Sequence, residues 1–166
     1  MIEFLKGYED YFGDWVWEMA IASLVTMELM LLSFILACAL GLVIALMRIS
    51  QFSVLSGLTK VYIGFFRGVP VLVILYWIYF AMPELGYKVL LISSFTAAVL
   101  GLGIHGSAFL AEVFRSGIEA LDQGQMEAAL SLGMTPSRAL RFIILPQAAR
   151  VVLPPMANYS VGLLKE

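Results

Sequence analysis

Apolar residues run along this chain in four stretches, broken by short polar joints. Residues 20–47 are apolar apart from Glu28, residues 61–82 carry a single charge at Arg67, and residues 89–111 carry none, with His105 as their one histidine. A fourth stretch of 14 apolar-rich residues runs over 151–164. A bilayer core about 30 Å thick takes roughly 20 helical residues. The pattern therefore predicts an all-α polytopic membrane protein, forming one transmembrane domain overall. Its segments are an N-terminal segment at 1–19, spans at 20–47, 61–82 and 89–111, links at 48–60, 83–88 and 112–150, and a fourth span at 151–166. A start of the second span nearer residue 54 also fits. The fourth span is too short to cross unaided and is expected to be incomplete.

Composition strengthens this picture. The chain has 166 residues, 61% apolar and 13% charged, against about 45–50% and 25% in soluble domains. Its net charge of −2 gives no electrostatic case for nucleic acid. Sidedness follows from Lys and Arg. The first link holds Arg48 and Lys60 without an acid, and the long third link holds Arg115, Arg138, Arg141 and Arg150. Both are expected in the cytoplasm, which leaves the N-terminus outside. That terminus is acidic and aromatic, unlike a secretory leader, so no cleaved signal is expected. Ala97 with Gly101, and Gly103 with Ser107, are small residues four apart, so the third span is expected to pack closely against other helices.

The candidate chemistry is sparse. GLGIHG at 101–106 matches a dinucleotide-binding pattern, but that pattern needs a preceding strand and a later acid. Here it falls inside a span and reads as helix packing. His105 and the lone Cys38 are expected to pack. No metal-ligand cluster, P-loop or catalytic constellation is present, so no enzyme activity, metal or cofactor is expected of this chain. Arg67, in FFRGVP, has two open readings. Its side chain could reach the interface, or it could serve a gate or pathway. Glu28 is likewise either an outer-interface carboxylate or part of a path. Glu112, Arg115 and Glu119 share one helix face and can pair.

Residues 122–146 are punctuated. Asp122 is placed to cap a helix, with Gln125 as its reciprocal partner. Met126, Ala129 and Leu130 form an apolar stripe, and Gly133 suits the left-handed position past the helix end. Thr135 and Pro136 then open a second helix, with Leu140, Ile143 and Ile144 as its apolar face. Pro146 is expected to end or bend it.

Glu127-Ala128-Ala129, three residues, Gly133, nine residues, then Ile143-x-Leu145-Pro146 resembles the EAA loop of ABC importer permeases. Residues 65–83, 108–129 and 144–166 resemble the polar amino acid permeases of the histidine, glutamine, glutamate, arginine and cystine type. The resemblance implies a type I importer-like transmembrane domain with a cytoplasmic coupling helix, in a bacterial plasma (inner) membrane. It implies a cytoplasmic ABC ATPase subunit that binds the ATP, an extracytoplasmic amino-acid-binding protein, and a second permease copy or paralogue. Glu127, Ala128, Ala129, Leu130 and Gly133 would then form the ATPase interface, and Glu28, Arg67 and Glu112 are candidates for the substrate pathway. Phe109 stands where the family commonly has Tyr. The family pattern continues past Lys165-Glu166, so a C-terminally truncated form is expected. The alternative is an ion-coupled carrier or channel using Glu28, Arg67 and His105, which leaves the punctuated loop unexplained.

Overall fold

The computed structural model describes residues 2–86, 92–121 and 123–165; for residues 2–12 and Gln123 only the backbone is described. The cap expected at Asp122, the start of the third span at residues 89–91, and Glu166 lie outside the described residues. Among the described residues there are helices and no strand. They are α1 (Ile2–Arg48), α2 (Ser53–Gly68), α3 (Val71–Glu84), α4 (Ser94–Glu119), α5 (Gln123–Ser131) and α6 (Pro136–Leu163).

α4 is the centre of the fold because its small residues let other helices come close. Ala97, Gly101, Gly103, Gly106 and Ser107 are all buried, as their spacing predicts. Each glycine faces a different neighbour. A Cβ on Gly101 would sit 2.5 Å from Leu75 of α3, and one on Gly103 would sit 2.5 Å from Leu36 of α1. A Cβ on Gly106 would overlap the Tyr159 hydroxyl of α6, and one on Gly117 would overlap Val152 of the same helix. α1 answers with its own small seam, Ser33, Ala37, Gly41 and Ala45, buried at every fourth residue. Gly41 lies against Ser107 and Leu110, Ala37 against Gly106, and Leu36 against Gly103. α1 and α4 therefore run parallel, in a register that puts Glu28 level with the Ser93–Thr96 cap of α4, where Ser93 Oγ accepts the Thr96 N–H. In lipid, such close contact supplies by dispersion and packing what the hydrophobic effect supplies in water.

Three boundaries differ from the sequence reading. The segment at 1–19 and the span at 20–47 share one helix, since α1 runs on through residue 19 over 47 residues. The second span is not continuous over 61–82. α2 and α3 meet at 101°, because Pro70 offers no N–H and drives Val69 into extended backbone (φ −96°, ψ 130°). α2 lies across α4, and α3 then runs antiparallel to α4, with Leu75 on Gly101. The fourth span does not begin near residue 151, nor does Pro146 end the preceding helix. α6 runs through 28 residues from Pro136 to Leu163.

Two prolines are each preceded by a π turn, although only Pro146 lies in a helix that goes on; α3 ends at Glu84, one residue past Pro83. Trp77–Ala81 and Leu140–Ile144 are π-helical turns, each ending two residues before a proline, Pro83 and Pro146. A proline ring clashes with the carbonyl four residues back. The wider π turn displaces that carbonyl and lets the helix continue.

Candidate functional site

The punctuated segment is the most definite feature of the third link. α5 closes in a Schellman motif, with Met134 N–H donating to Ala129 C=O (3.1 Å) and Gly133 N–H to Leu130 C=O (2.9 Å). Gly133 has φ +81°, and among the described residues no side-chain-bearing residue has positive φ. Thr135 Oγ1 then accepts the Arg138 N–H at 3.4 Å, with Pro136 in the first turn of α6. Both ends of the turn are thus built by the residues the sequence singles out.

The faces of α5 are less legible. Met126 lines a cavity of about 500 Å³ with Ile49, Ile118, Leu121, Leu140 and Ile144. Gln147 Nε2 donates to Gln125 Oε1 at 3.3 Å and to Ile143 C=O at 3.0 Å, tying α5 to α6. Of the five residues assigned to the partner-facing side, Glu127, Ala128, Leu130 and Gly133 are exposed. Ala129 is turned inward and is 4% exposed. Sequence reasoning missed Leu132, which at 83% is the most exposed large apolar side chain among the described residues. A signal was present, since a leucine in the closing turn of a capped helix outside the apolar stripe has nothing to cover it.

The three residues considered for a pathway are not brought together. Glu28 lies exposed at the level of the α4 N-cap. Glu112 is engaged on its own helix. Arg115 Nε donates to Glu112 Oε2 at 2.8 Å, and Arg115 also pairs with Glu119. Arg67, at the end of α2, holds its guanidinium 5.2 Å from the Phe109 ring centroid. Phe109 in turn stacks on Tyr159 (6.2 Å, 23°) and lies 5.1 Å from the His105 ring. Arg67 is thus within one turn of Glu112 along α4, while Glu28 is about 20 Å further out by helix rise. A second tie holds α2 here. Ser107 Oγ donates to Ile104 C=O at 2.7 Å, and Tyr62 donates to Ser107 Oγ at 2.7 Å. His105 is 7% exposed and packed on Phe109, as its place in GLGIHG suggests. Among the described residues, no cluster of His, Cys, Asp and Glu has metal-binding geometry.

Comparison with known proteins adds four findings. A family profile described as "Binding-protein-dependent transport system inner membrane component" matches residues 37–166. The chain is 44% identical over 142 residues to a probable amino-acid permease protein, YxeN, of Bacillus subtilis, covering 86% of this chain and 63% of that protein. It is 40% identical over 168 residues to the arginine transport system permease protein ArgU of Corynebacterium glutamicum, covering 95% of this chain and 52% of that one. The chain thus spans a little over half to under two thirds of the length of these relatives. Among solved structures, an amino acid ABC transporter crystallised with histidines superposes with a TM-score of 0.75 at 38% identity, over 89% of this chain and 71% of that one.

Proposed function

Because the chain belongs to the family of binding-protein-dependent transport system inner membrane components, we propose that it serves as the permease subunit of an ATP-driven importer of polar amino acids. The observation that carries this is the exposed α5–Gly133–α6 segment, which has the shape of a docking element and no catalytic chemistry of its own. Its outward side offers Glu127 for a basic or backbone donor, Ala128 for close approach, and Leu130 and Leu132 as apolar anchors. A cytoplasmic ATPase subunit that binds and hydrolyses ATP is the partner this surface fits. Closure of an ATPase pair would displace the segment and shift the population of span arrangements. Substrate would be delivered by an extracytoplasmic binding protein, and a second permease copy or paralogue would complete the pathway, with the N-terminus outside. Along that path Arg67 is favoured over Glu112, whose carboxylate is paired with Arg115, and over Glu28, which lies about 20 Å further out by helix rise; among the described residues the Arg67 guanidinium meets the Phe109 ring. An ion-coupled carrier has no comparable support, since the relatives compared are amino acid permeases and His105 is buried in packing.

The test is made in the complete protein, assembled with its ATPase. Gly133→Asp forces a side chain into left-handed backbone at roughly 1–2 kcal/mol, and Glu127→Lys reverses the exposed charge. Each is expected to abolish co-purification with the ATPase or to uncouple ATP hydrolysis from uptake. Wild-type uptake in both variants would refute the docking assignment. Arg67→Gln is expected to lower uptake at least tenfold with the ATPase still bound; unchanged uptake removes Arg67 from the path.

A further inference from the structure

The N-terminal helix is far longer than a span requires. Its 47 residues extend about 70 Å, against a hydrocarbon core of about 30 Å. The register of α1 on α4 places most of the excess beyond the N-cap of α4. From Gly13 to Glu28 every residue is exposed, and the seam that packs on α4 begins only at Ser33. The matched family region begins later still, at residue 37.

The sequence changes character at Met19. From Ala20 to Met27 it is non-ionic and almost wholly apolar, with no polar face. Before Met19 it is two-faced. Phe4, Tyr8, Tyr11, Phe12, Trp15 and Met19 recur at helical spacing along one side, while Glu3, Asp10 and Asp14 fall on the other and Glu9 and Glu18 border the aromatic side. Trp17 also falls on the acidic side and is 69% exposed, against 47% for Trp15. A two-faced helix rich in Trp and Tyr fits the boundary between acyl chains and headgroups. α1 is unbroken through this junction, but two side-chain bonds loosen it. Ser23 Oγ donates to Met19 C=O at 2.7 Å, and Thr26 Oγ1 to Ala22 C=O at 2.9 Å. Such back-bonding to the carbonyl four residues earlier weakens and bends a helix.

We propose that residues 2–19 form an interfacial helix lying on the leaflet at the N-terminal side of the first span. It is hinged over Met19–Thr26, with its aromatic side in lipid and its acidic side in water. The partner is the bilayer surface itself. With five acids against Lys6 alone in this segment, anionic headgroups repel it, so the aromatic side drives the attachment. The segment would hold the outer end of α1 at a fixed depth.

The test uses the full chain reconstituted in phosphatidylcholine vesicles, with iodide on both sides. Trp17→Phe/Trp77→Phe leaves Trp15 as sole emitter, and Trp15→Phe/Trp77→Phe leaves Trp17. Trp15 is expected to be quenched by lipid brominated near the glycerol end of the acyl chain and to be several-fold less sensitive to iodide than Trp17. Adding anionic lipid should leave that contrast unchanged or reduce it. Equal iodide access to both tryptophans would show a helix standing clear in water and overturn the proposal. Equal shielding of both, as beneath a protein partner, would overturn it too, as would protection that requires anionic lipid.

Discussion

Two residues at the end of α5 and in the turn that closes it show how much position decides. Ala129 is buried against its own chain, while Leu132, three residues on in the closing turn, is 83% exposed. An aspartate at either position introduces the same charge, but only one of them is taken out of water. Ala129→Asp is expected to destabilise the permease itself by several kcal/mol, because a buried unpaired carboxylate loses its hydration. Leu132→Asp should leave the thermal melting of the isolated permease nearly unchanged, within about 0.5 kcal/mol, and should weaken ATPase recruitment at least tenfold. Melting curves beside a pull-down separate the two. If Leu132→Asp lowers melting as much as Ala129→Asp does, the exposed-anchor role is wrong. The sequence hides this difference, because it places Ala129 in one apolar stripe with Met126 and Leu130 and leaves Leu132 outside it. Only the position of Ile118, Leu121 and Ile144 reveals which edge of that stripe is covered.

At the scale of elements, capping chemistry was legible and helix continuity was not. Gly133 and Thr135 act as local rules require, since a left-handed glycine or an N-cap hydroxyl needs only its own turn; Ser93, which caps α4, is hidden inside the apolar stretch 89–111. Prolines mislead because their effect depends on the ladder around them. Pro70 breaks its helix by 101°, whereas Pro146 is absorbed by a π turn, and Pro83, which also follows one, stands one residue before the end of α3. If the Leu140–Ile144 turn exists to accommodate Pro146, Pro146→Ala should let the ladder return toward regular α-helix. Slower amide hydrogen exchange across residues 140–146 is the expected outcome. Faster exchange there would mean that the π turn has another cause. The seam between α1 and α4 gives a second expectation. Ala37→Leu forces bulk against Gly106 and should cost about 1–3 kcal/mol of stability by overpacking, read as a lower melting temperature in detergent.

For the whole molecule, the apolar pattern was enough to identify a helical membrane protein, and small-residue spacing located the central helix. The parallel packing of α1 on α4 was not available from it, because that register rests on pairings between residues about 67 positions apart, such as Leu36 with Gly103. Sidedness is the prediction that belongs here. In a Cys38→Ser background, Leu132→Cys should react with a membrane-impermeant thiol reagent only in inside-out vesicles, and Trp17→Cys only from the opposite side. The reverse pattern would invert the assignment of the third link to the cytoplasm. The continuity of α6 has a mechanical consequence. The arm that starts at Pro136 and the span that ends at Leu163 are one rod of about 42 Å, braced on α4 where Val152 nests at Gly117 and Tyr159 at Gly106. A sideways push of about 5 Å at the Pro136 end, roughly one helical pitch, tilts such a rod about that brace by roughly 10°. With the fulcrum at those contacts, the far end swings the opposite way, so a push on the Pro136 arm becomes reversed motion at the Leu163 end, carried through the π turn at Leu140–Ile144 and past Pro154 and Pro155.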